Sequence, residues 1–305
     1  MIDLWVLILL IPTFLWALSN FYDKVLVERV TLSSVSFIFF SNQFIPIFAI
    51  LIVILAPIEM LEWHIIVLLL LQGFALVYIF TLYGKALQHD NGSHIGSLFG
   101  LITLFLVFLE FIFLGVVLSI YDYIGIGGIV LSSLLLTTSQ LSIKMFKPRL
   151  SLYYMIVLTF LLAISFTLLS YYLQYYNFST ITLYLLIGGY IGVLSLLLKK
   201  KNREYIKKTF KIIISSKLYI FLLIFANLVT ETADILYYYI ISLAPSVTIV
   251  SAIANIQFIF AYLLGIIFTL LFPSFIQEDL SLYQILRRGI AIVLMIGGIL
   301  LIQVI

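Results

Sequence analysis

The amino-acid sequence predicts an all-α integral membrane protein, whose ten transmembrane helices form two inverted five-helix repeats around a central cavity. Three observations lead to this fold class. The composition is that of a chain dissolved in lipid, the apolar residues fall into ten long runs, and every lysine and arginine lies in an odd-numbered loop between those runs or at a span end that adjoins one.

The composition excludes the class of water-soluble proteins. Hydrophobic residues make up 64% of the 305 residues and charged residues 10%, whereas soluble chains carry about 45–50% apolar and about 25% charged residues. Mean hydropathy is +1.27. Cysteine is absent, which excludes disulfides and thiolate chemistry. The first apolar run has no basic segment before it and no small-residue cleavage site, so we expect it to be a retained helix.

The apolar runs are continuous and too long for the strands of an outer-membrane barrel, which alternate over about 10 residues. In lipid, helices satisfy their own backbone hydrogen bonds, so each run is predicted to be a transmembrane helix. The predicted first repeat is residues 1–138, the basic connecting loop 139–150 and the second repeat 151–305. The predicted spans are residues 3–22, 33–56, 64–87, 94–117, 121–138, 152–173, 179–199, 218–241, 245–272 and 286–304.

Basic residues predict the orientation of these spans. All sixteen lie in odd-numbered loops or at the span ends that adjoin those loops, eight of them at residues 199–217, whereas the charged residues of the even-numbered loops are Glu59, Glu62 and Asp122. Under the positive-inside rule the odd loops are cytoplasmic. The chain is therefore predicted to be a multi-pass protein of the cytoplasmic membrane with both termini outside. The seventh loop is interpreted as a topology determinant that also touches anionic lipid.

An internal repeat supports the division into halves. Residues 14–24 (FLWALSNFYDK) align with residues 160–170 (FLLAISFTLLS), and an offset of 154 pairs Ser97 with Ser251. With five helices per half, the halves enter the membrane in opposite orientations. This arrangement is common in transporters, whose site lies between the repeats near the midplane.

Several motifs resemble a known family. The first helix ends in WALSN at residues 16–20 followed by Asp23, and the second half closes with a short acidic turn at Glu278 and a final helix containing Gly289. With five-plus-five helices, the whole chain resembles the drug/metabolite transporter superfamily, in its ten-helix EamA-type branch. It departs from that pattern at Val116, where the family usually has Glu, and it lacks the usual proline of the fourth and ninth spans.

The resemblance implies transport without naming the solute. Relatives of this kind move amino acids, nucleotide derivatives, sugars or drugs. Many ten-helix relatives keep both termini in the cytoplasm, whereas the charges of this chain predict the reverse.

The eighth span contains an unusual polar stripe. Asn227, Glu231, Asp234 and Tyr238 fall on one helical face. One carboxylate at a helix centre costs roughly 2.5–3.5 kcal/mol in a membrane, so two on one face need water, a cation or shared protons. The stripe predicts a proton-coupling or cation-binding site that faces the central cavity. The alternative is a set of polar groups that bond to neighbouring helices.

Other polar residues within spans are weaker candidates. Glu110 either lines the cavity or sits protonated against a neighbouring helix. Trp16, Asn20 and Asp23 share a face of the first helix, where they gate the cytoplasmic mouth or cap the helix end. The remaining candidates are hydrogen-bonding groups for a solute or contacts between helices, namely Asn42, Gln72, Ser251, Asn255 and Gln257.

Glycine spacings predict close helix contacts rather than phosphate binding. Gly188 and Gly192 form one such pair, and Gly92, Gly96 and Gly100 form two overlapping pairs at the start of the fourth span.

The function predicted from these features is secondary-active transport, by an exporter or exchanger, of a small polar or amphipathic metabolite. Glu231 and Asp234 are the expected proton-coupling groups. The alternative is a membrane scaffold or a lipid scramblase without ion coupling. The sequence has no H-E-x-x-H, G-x-S-x-G or P-loop motif, so an enzyme is not predicted.

The expected partners are a small-molecule substrate and membrane lipids, without nucleic acid. No histidine pair combines ligand spacing with a carboxylate, so no metal and no cofactor are expected. The sequence is compatible with a monomer or a dimer.

Overall fold

The computed structural model describes residues 3–89, 95–96, 98–137, 150–271 and 281–304, and every regular element within these ranges is a helix. Nine helical segments in this part of the chain are long and apolar enough to cross a membrane, and Leu101–Leu114 is a shorter apolar one. The chain is therefore a multi-pass integral membrane protein. Positions 139–149 of the predicted connecting loop, Gly92 and Glu278 lie outside the described residues.

The helices follow the apolar runs because the backbone of each run must satisfy its own hydrogen bonds in lipid. In chain order they are α1 (Leu4–Val25), α2 (Ser34–Ser41), α3 (Ile45–Leu55), α4 (Trp63–His89), α5 (Leu101–Leu109), α6 (Ile120–Thr137), α7 (Leu150–Leu173), α8 (Phe178–Ser195), α9 (Lys200–Ile214), α10 (Lys217–Leu243), α11 (Val247–Ala254), α12 (Gln257–Leu271) and α13 (Leu282–Val304).

Two predicted spans are discontinuous. The second span breaks at residues 42–44, between α2 and α3, and the ninth breaks at residues 255–256, between α11 and α12. Pro46 follows the first break at the start of α3, where a missing N–H costs nothing. Both runs are apolar apart from a few polar residues, so the hydropathy pattern predicted one helix for each.

The predicted contacts at Gly188 and Gly192 are confirmed where α8 packs against α4. A Cβ atom added at Gly188 would lie 2.2 Å from the carbonyl oxygen of Leu70, and one at Gly192 would lie 3.0 Å from that of Phe74. The two backbones therefore approach each other more closely than side chains allow.

Two assignments of basic residues need correction. The seventh loop forms the fifteen-residue helix α9. Arg287 and Arg288 were counted as the last residues of the ninth loop. Because α13 begins at Leu282, they lie in its second turn, where they are buried. The Arg288 guanidinium lies 4.6 Å from the ring centroid of Tyr262, which offers it a cation–π contact.

Odd-numbered loops meet at one end of the helix bundle, and even-numbered loops meet at the other end. The first and seventh loops are joined by a 3.3 Å hydrogen bond from the Leu32 N–H to Oγ1 of Thr209. At the other end, the Asn177 N–H donates to Oε2 of Glu59 at 3.1 Å and joins the sixth loop to the second. These contacts agree with an alternation of crossings along the chain.

Candidate functional site

Two carboxylates lie in the middle of α10, the long helix of the eighth span. Glu231 is only 5% exposed, and Asp234 one turn later is partly buried. Among the described residues, no hydrogen bond is made by the Glu231 carboxylate. The two groups are close enough to interact electrostatically. A buried acid without a partner in a membrane helix is costly, which makes it a candidate for a functional group.

Asp234 is held by the first helix. The indole Nε1–H of Trp16 on α1 donates a 2.8 Å hydrogen bond to Oδ1 of Asp234. The Trp16 ring also packs on Tyr237, with 4.8 Å between ring centroids. The polar stripes of α1 and α10 therefore meet, which the sequence did not predict, and this contact gives the two carboxylates different surroundings.

A small cavity of about 70 Å³ adjoins both carboxylates between α3, α4, α8 and α10. Its polar lining consists of Asn42, Glu231, Asp234 and Tyr238, all of which the sequence singled out. Its remaining lining residues are apolar or glycine: Ile45, Gly73, Leu76, Val77, Phe80, Leu185, Leu186, Gly189 and Ile235.

Asn227 shares the stripe with Glu231, but its polar atoms support the break in the second span. Its Oδ1 accepts a 3.0 Å hydrogen bond from the Gln43 N–H, and its Nδ2 donates to the carbonyl oxygens of Phe40 at 3.0 Å and Leu223 at 2.8 Å. Two backbone groups released by the break are thus satisfied inside the protein. Asn227 places Asn42 at the cavity without lining the cavity itself.

Ser251 and Asn255 lie at the interface of the fourth and ninth spans. Ser251 Oγ is 2.9 Å from Thr103 Oγ1, and Asn255 Nδ2 donates to the carbonyl oxygens of Ser251 at 3.0 Å and Ala252 at 3.1 Å. These hydrogen bonds thus satisfy polar groups next to the break in the ninth span.

Glu110 lies against a neighbouring helix, as one of the two sequence alternatives had it, and it caps the start of that helix. Its carboxylate accepts hydrogen bonds from Ser246 Oγ at 2.6 Å and from the N–H groups of Val247 and Thr248, both at 2.9 Å. These donors open α11, whose first N–H groups have no partner within the helix. Glu110 therefore does not line the cavity.

The other candidates lie apart from the carboxylates. Gln72 joins α4 to α7, since its Nε2 donates to the carbonyl oxygen and to Oγ of Ser165 at 2.9 Å each. Gln257 is the first residue of α12, and Asn20 is exposed one turn after Trp16.

The sequence weighed Asp23 only as a gating or capping residue and did not single out Tyr83. Asp23 lies close enough to Asp234 for their charges to interact, and Tyr83 on α4 lies similarly close to Asp23. The sequence indicated Asp23, because this residue shares a helical face with Trp16 and Asn20. Tyr83 was not recognisable, because its neighbour in space comes from a distant part of the sequence.

Within the described ranges, no group of three or more His, Cys, Asp or Glu side chains could hold a metal ion. The arrangement can instead hold a proton or a monovalent cation between two carboxylates. Asn42 and Tyr238 offer hydrogen bonds to a solute in the same cavity.

Comparisons with known proteins agree with a membrane fold. Residues 3–138 match the model of the EamA-like transporter family. A search of curated proteins gives no match. A crystal structure described only as that of a protein is similar to this chain, with a TM-score of 0.64, 12% sequence identity, and 98% of this chain and 96% of that chain covered. At that identity the likeness concerns the fold alone.

Proposed function

We propose that the chain, whose residues 3–138 match the EamA-like transporter family, is a secondary-active transporter, which exports or exchanges a small polar or amphipathic metabolite across the cytoplasmic membrane. Protons are coupled to this transport through Glu231 and Asp234. The observation that carries the proposal is the buried Glu231 carboxylate, which lines the cavity without a hydrogen-bond partner among the described residues.

The proposed architecture is ten spans in two inverted repeats, and helix packing supports it. The contact of α1 with α10 has its counterpart in the contact of α7 with α4. That of α5 with α7 has its counterpart in that of α12 with α1, and α6 pairs with α13 across the proposed axis. These are the pairs that a two-fold relation between the halves predicts.

Discontinuous helices also support the repeat. A turn at residues 99–100 precedes α5, and a turn at residues 255–256 precedes α12, at corresponding places in the two halves. Broken helices near the midplane are typical of transporters built from inverted repeats, because they bring polar backbone to the solute site.

The coupling mechanism follows from the cost of charge in a closed membrane site. Each uncompensated carboxylate costs about 2.5–3.5 kcal/mol at the helix centre. Closing the cavity over Glu231 and Asp234 is therefore unfavourable until a proton or a cationic solute compensates them. The transporter then changes the side to which the cavity opens only when it is loaded, which is the condition for coupled transport.

The proposed orientation places the odd loops in the cytoplasm and both termini outside, as the basic residues predict. The Asp3 N–H lies 3.3 Å from Oε1 of Gln303, so the two ends of the chain are on the same side. A cysteine introduced at Lys207 should resist an impermeant thiol reagent applied to intact cells, and rapid labelling there would invert this orientation.

The proposal is tested by solute flux in proteoliposomes. Ligand-induced thermal shifts in detergent first select the solute from radiolabelled amino acids, nucleosides, sugars and drug-like amines. Uptake is then driven by an imposed pH gradient. We expect accumulation by the wild type, and near-background accumulation by Glu231→Gln and Asp234→Asn.

The matched control is Glu62→Gln, which removes an exposed carboxylate of the second loop and should retain accumulation. Equal accumulation by the wild type and both cavity variants would refute proton coupling through these residues. Movement of a fluorescent phospholipid between leaflets, without solute uptake, would favour the scramblase alternative.

A further inference from the structure

The basic segment between α8 and α10 is an amphipathic helix lying against the bundle. Ile206, Thr209 and Ile213 of α9 are buried on one face. Residues 199–217 carry eight basic side chains, all of them exposed, and a single acid, Glu204. On the helical wheel of α9 the basic side chains cover the face opposite the buried one.

Short connections hold α9 at the level of the membrane where the transmembrane spans end. Lys199 is the only residue between the helical turn Leu196–Leu198 and α9, and two residues separate α9 from α10. Such short connections do not let the helix move away from the bundle. Its charged face is consequently held beside the headgroup layer of the membrane.

Apolar side chains extend beyond the packed face of α9. Phe210 is 51% exposed and Ile214 is 53% exposed, and both flank the basic face. Exposed aromatic and aliphatic groups beside lysines are typical of helices that lie in the membrane interface. An acidic cytosolic partner would pair with the lysines but would leave these apolar groups in water.

The first turn of α9 also favours an anion. It begins with Lys200 and Lys201, contains no acidic side chain, and its N-cap Lys199 makes no side-chain cap. Cations at this end oppose the helix dipole, and an anionic group would relieve the conflict. Phosphate groups of lipids supply such a charge.

The helix α9 contacts the first half of the discontinuous second span through its buried face and through Phe210 at the edge of that face. Thr209 Oγ1 accepts from the Leu32 N–H at 3.3 Å, and Phe210 stacks on Phe40 of α2 with 6.5 Å between ring centroids and 11° between ring planes. The Phe40 carbonyl oxygen accepts from Asn227, one turn before Glu231 on α10. A ligand that holds α9 in place therefore also restrains the position of α2 beside the cavity.

We propose that α9 binds the headgroups of anionic phospholipids through its basic face, and that this binding orders α2 through the contact of Phe210 with Phe40. Anionic lipid thereby acts as a ligand of the cytoplasmic half of the second span. This inference does not depend on the solute or on proton coupling.

Binding is tested with spin-labelled lipids around the full-length protein in phosphatidylcholine bilayers. Electron paramagnetic resonance measures the motionally restricted fraction of phosphatidylglycerol relative to phosphatidylcholine. We expect the wild type to prefer phosphatidylglycerol. The triple change of Lys207, Lys208 and Lys211 to Gln should lower that preference by at least about fivefold, the equivalent of one surface lysine. The same three positions changed to Arg should keep the preference.

Coupling is tested by hydrogen exchange of α2 in nanodiscs of phosphatidylcholine, with or without phosphatidylglycerol. In the wild type, anionic lipid should slow the exchange of the amides of Ser34–Ser41. Phe210→Ala should abolish that slowing while keeping the lipid preference, and Ile214→Ala, an equally exposed position on the same helix, should keep both. An unchanged lipid preference in the triple Gln variant, or wild-type α2 exchange that ignores lipid charge, would overturn the proposal.

Discussion

Trp16 and Asp234 join the first helix to the carboxylate pair, through a 2.8 Å hydrogen bond from the indole Nε1–H to Oδ1. Because α1 packs along α10, a movement between these helices must stretch or break this bond. The bond therefore links the charge state of the cavity to the position of α1.

Trp16→Phe tests this link, since it keeps a ring against Tyr237 but removes the N–H donor. We expect the free energy of unfolding to fall by about 1–2 kcal/mol, and gradient-driven uptake to slow. Unfolding in mixed detergent micelles measures the first effect and proteoliposome flux the second. Trp63→Phe is the control, because Trp63 is 77% exposed. Wild-type values of both quantities in Trp16→Phe would mean that the bond is dispensable.

Asn227→Ala should destabilise the break between α2 and α3. The change removes the donor to the Phe40 carbonyl oxygen and the acceptor of the Gln43 N–H. Each buried backbone group left without a partner costs about 1–3 kcal/mol. Hydrogen exchange should therefore become faster at residues 40–44, and unfolding should occur at lower denaturant concentration.

The exposed Asn20 provides the comparison for that change. Asn20→Ala should leave the free energy of unfolding unchanged within experimental error. If Asn227→Ala and Asn20→Ala were equally stable, the role given to Asn227 in the broken span would be wrong.

The sequence predicted the helical spans well, because they follow from the cost of polar groups in lipid, whereas the role given to the carboxylate pair stays a prediction. In the part of the chain that the structure describes, nine long apolar helical segments lie where apolar runs predicted them, and Glu231 and Asp234 line one cavity. Hydropathy measures side chains and not backbone geometry. The hydropathy pattern could therefore not locate the breaks at residues 42–44 and 255–256. It could also not show that Asn227 supports the first of these breaks.

Two further differences have similar causes. The charge of residues 199–217 suggested a loop, although buried Ile206, Thr209 and Ile213 recur at helical spacing. Glu110 was weighed as a cavity group because an acid inside a span is costly, but the donors that satisfy it come from Ser246–Thr248, far away in sequence.

Glu110→Ala should loosen the start of α11. The change removes the acceptor of two backbone N–H groups and of the Ser246 hydroxyl, at a cost of about 2–4 kcal/mol. Amide exchange of Val247–Ala254 should become faster, while exchange within α9 should stay unchanged. Asp122→Ala serves as the control, because Asp122 accepts from the Ser119 N–H at an exposed helix start, where water can replace it. Unchanged protection of α11 would contradict the capping role.

Gly73→Ala should force apart the two helices that form one wall of the cavity. A Cβ atom there would lie 2.1 Å from the carbonyl oxygen of Leu185 and 2.8 Å from the backbone nitrogen of Gly189, and neither backbone atom can turn away. Overpacking of this kind costs about 1–3 kcal/mol. We expect a lower unfolding midpoint and, because Gly73 and Gly189 both line the cavity, a lower affinity for the transported solute.

Gly127→Ala is the matched control, since a Cβ atom at Gly127 would meet nothing within 4 Å. Alanine has the higher helix propensity by about 1 kcal/mol, so this variant should be as stable as the wild type or more stable. The two variants add the same methyl group to a transmembrane helix, so a difference between them isolates the contact of α4 with α8. If Gly73→Ala matched Gly127→Ala in stability and in solute affinity, the close approach of these helices would have no part in shaping the cavity.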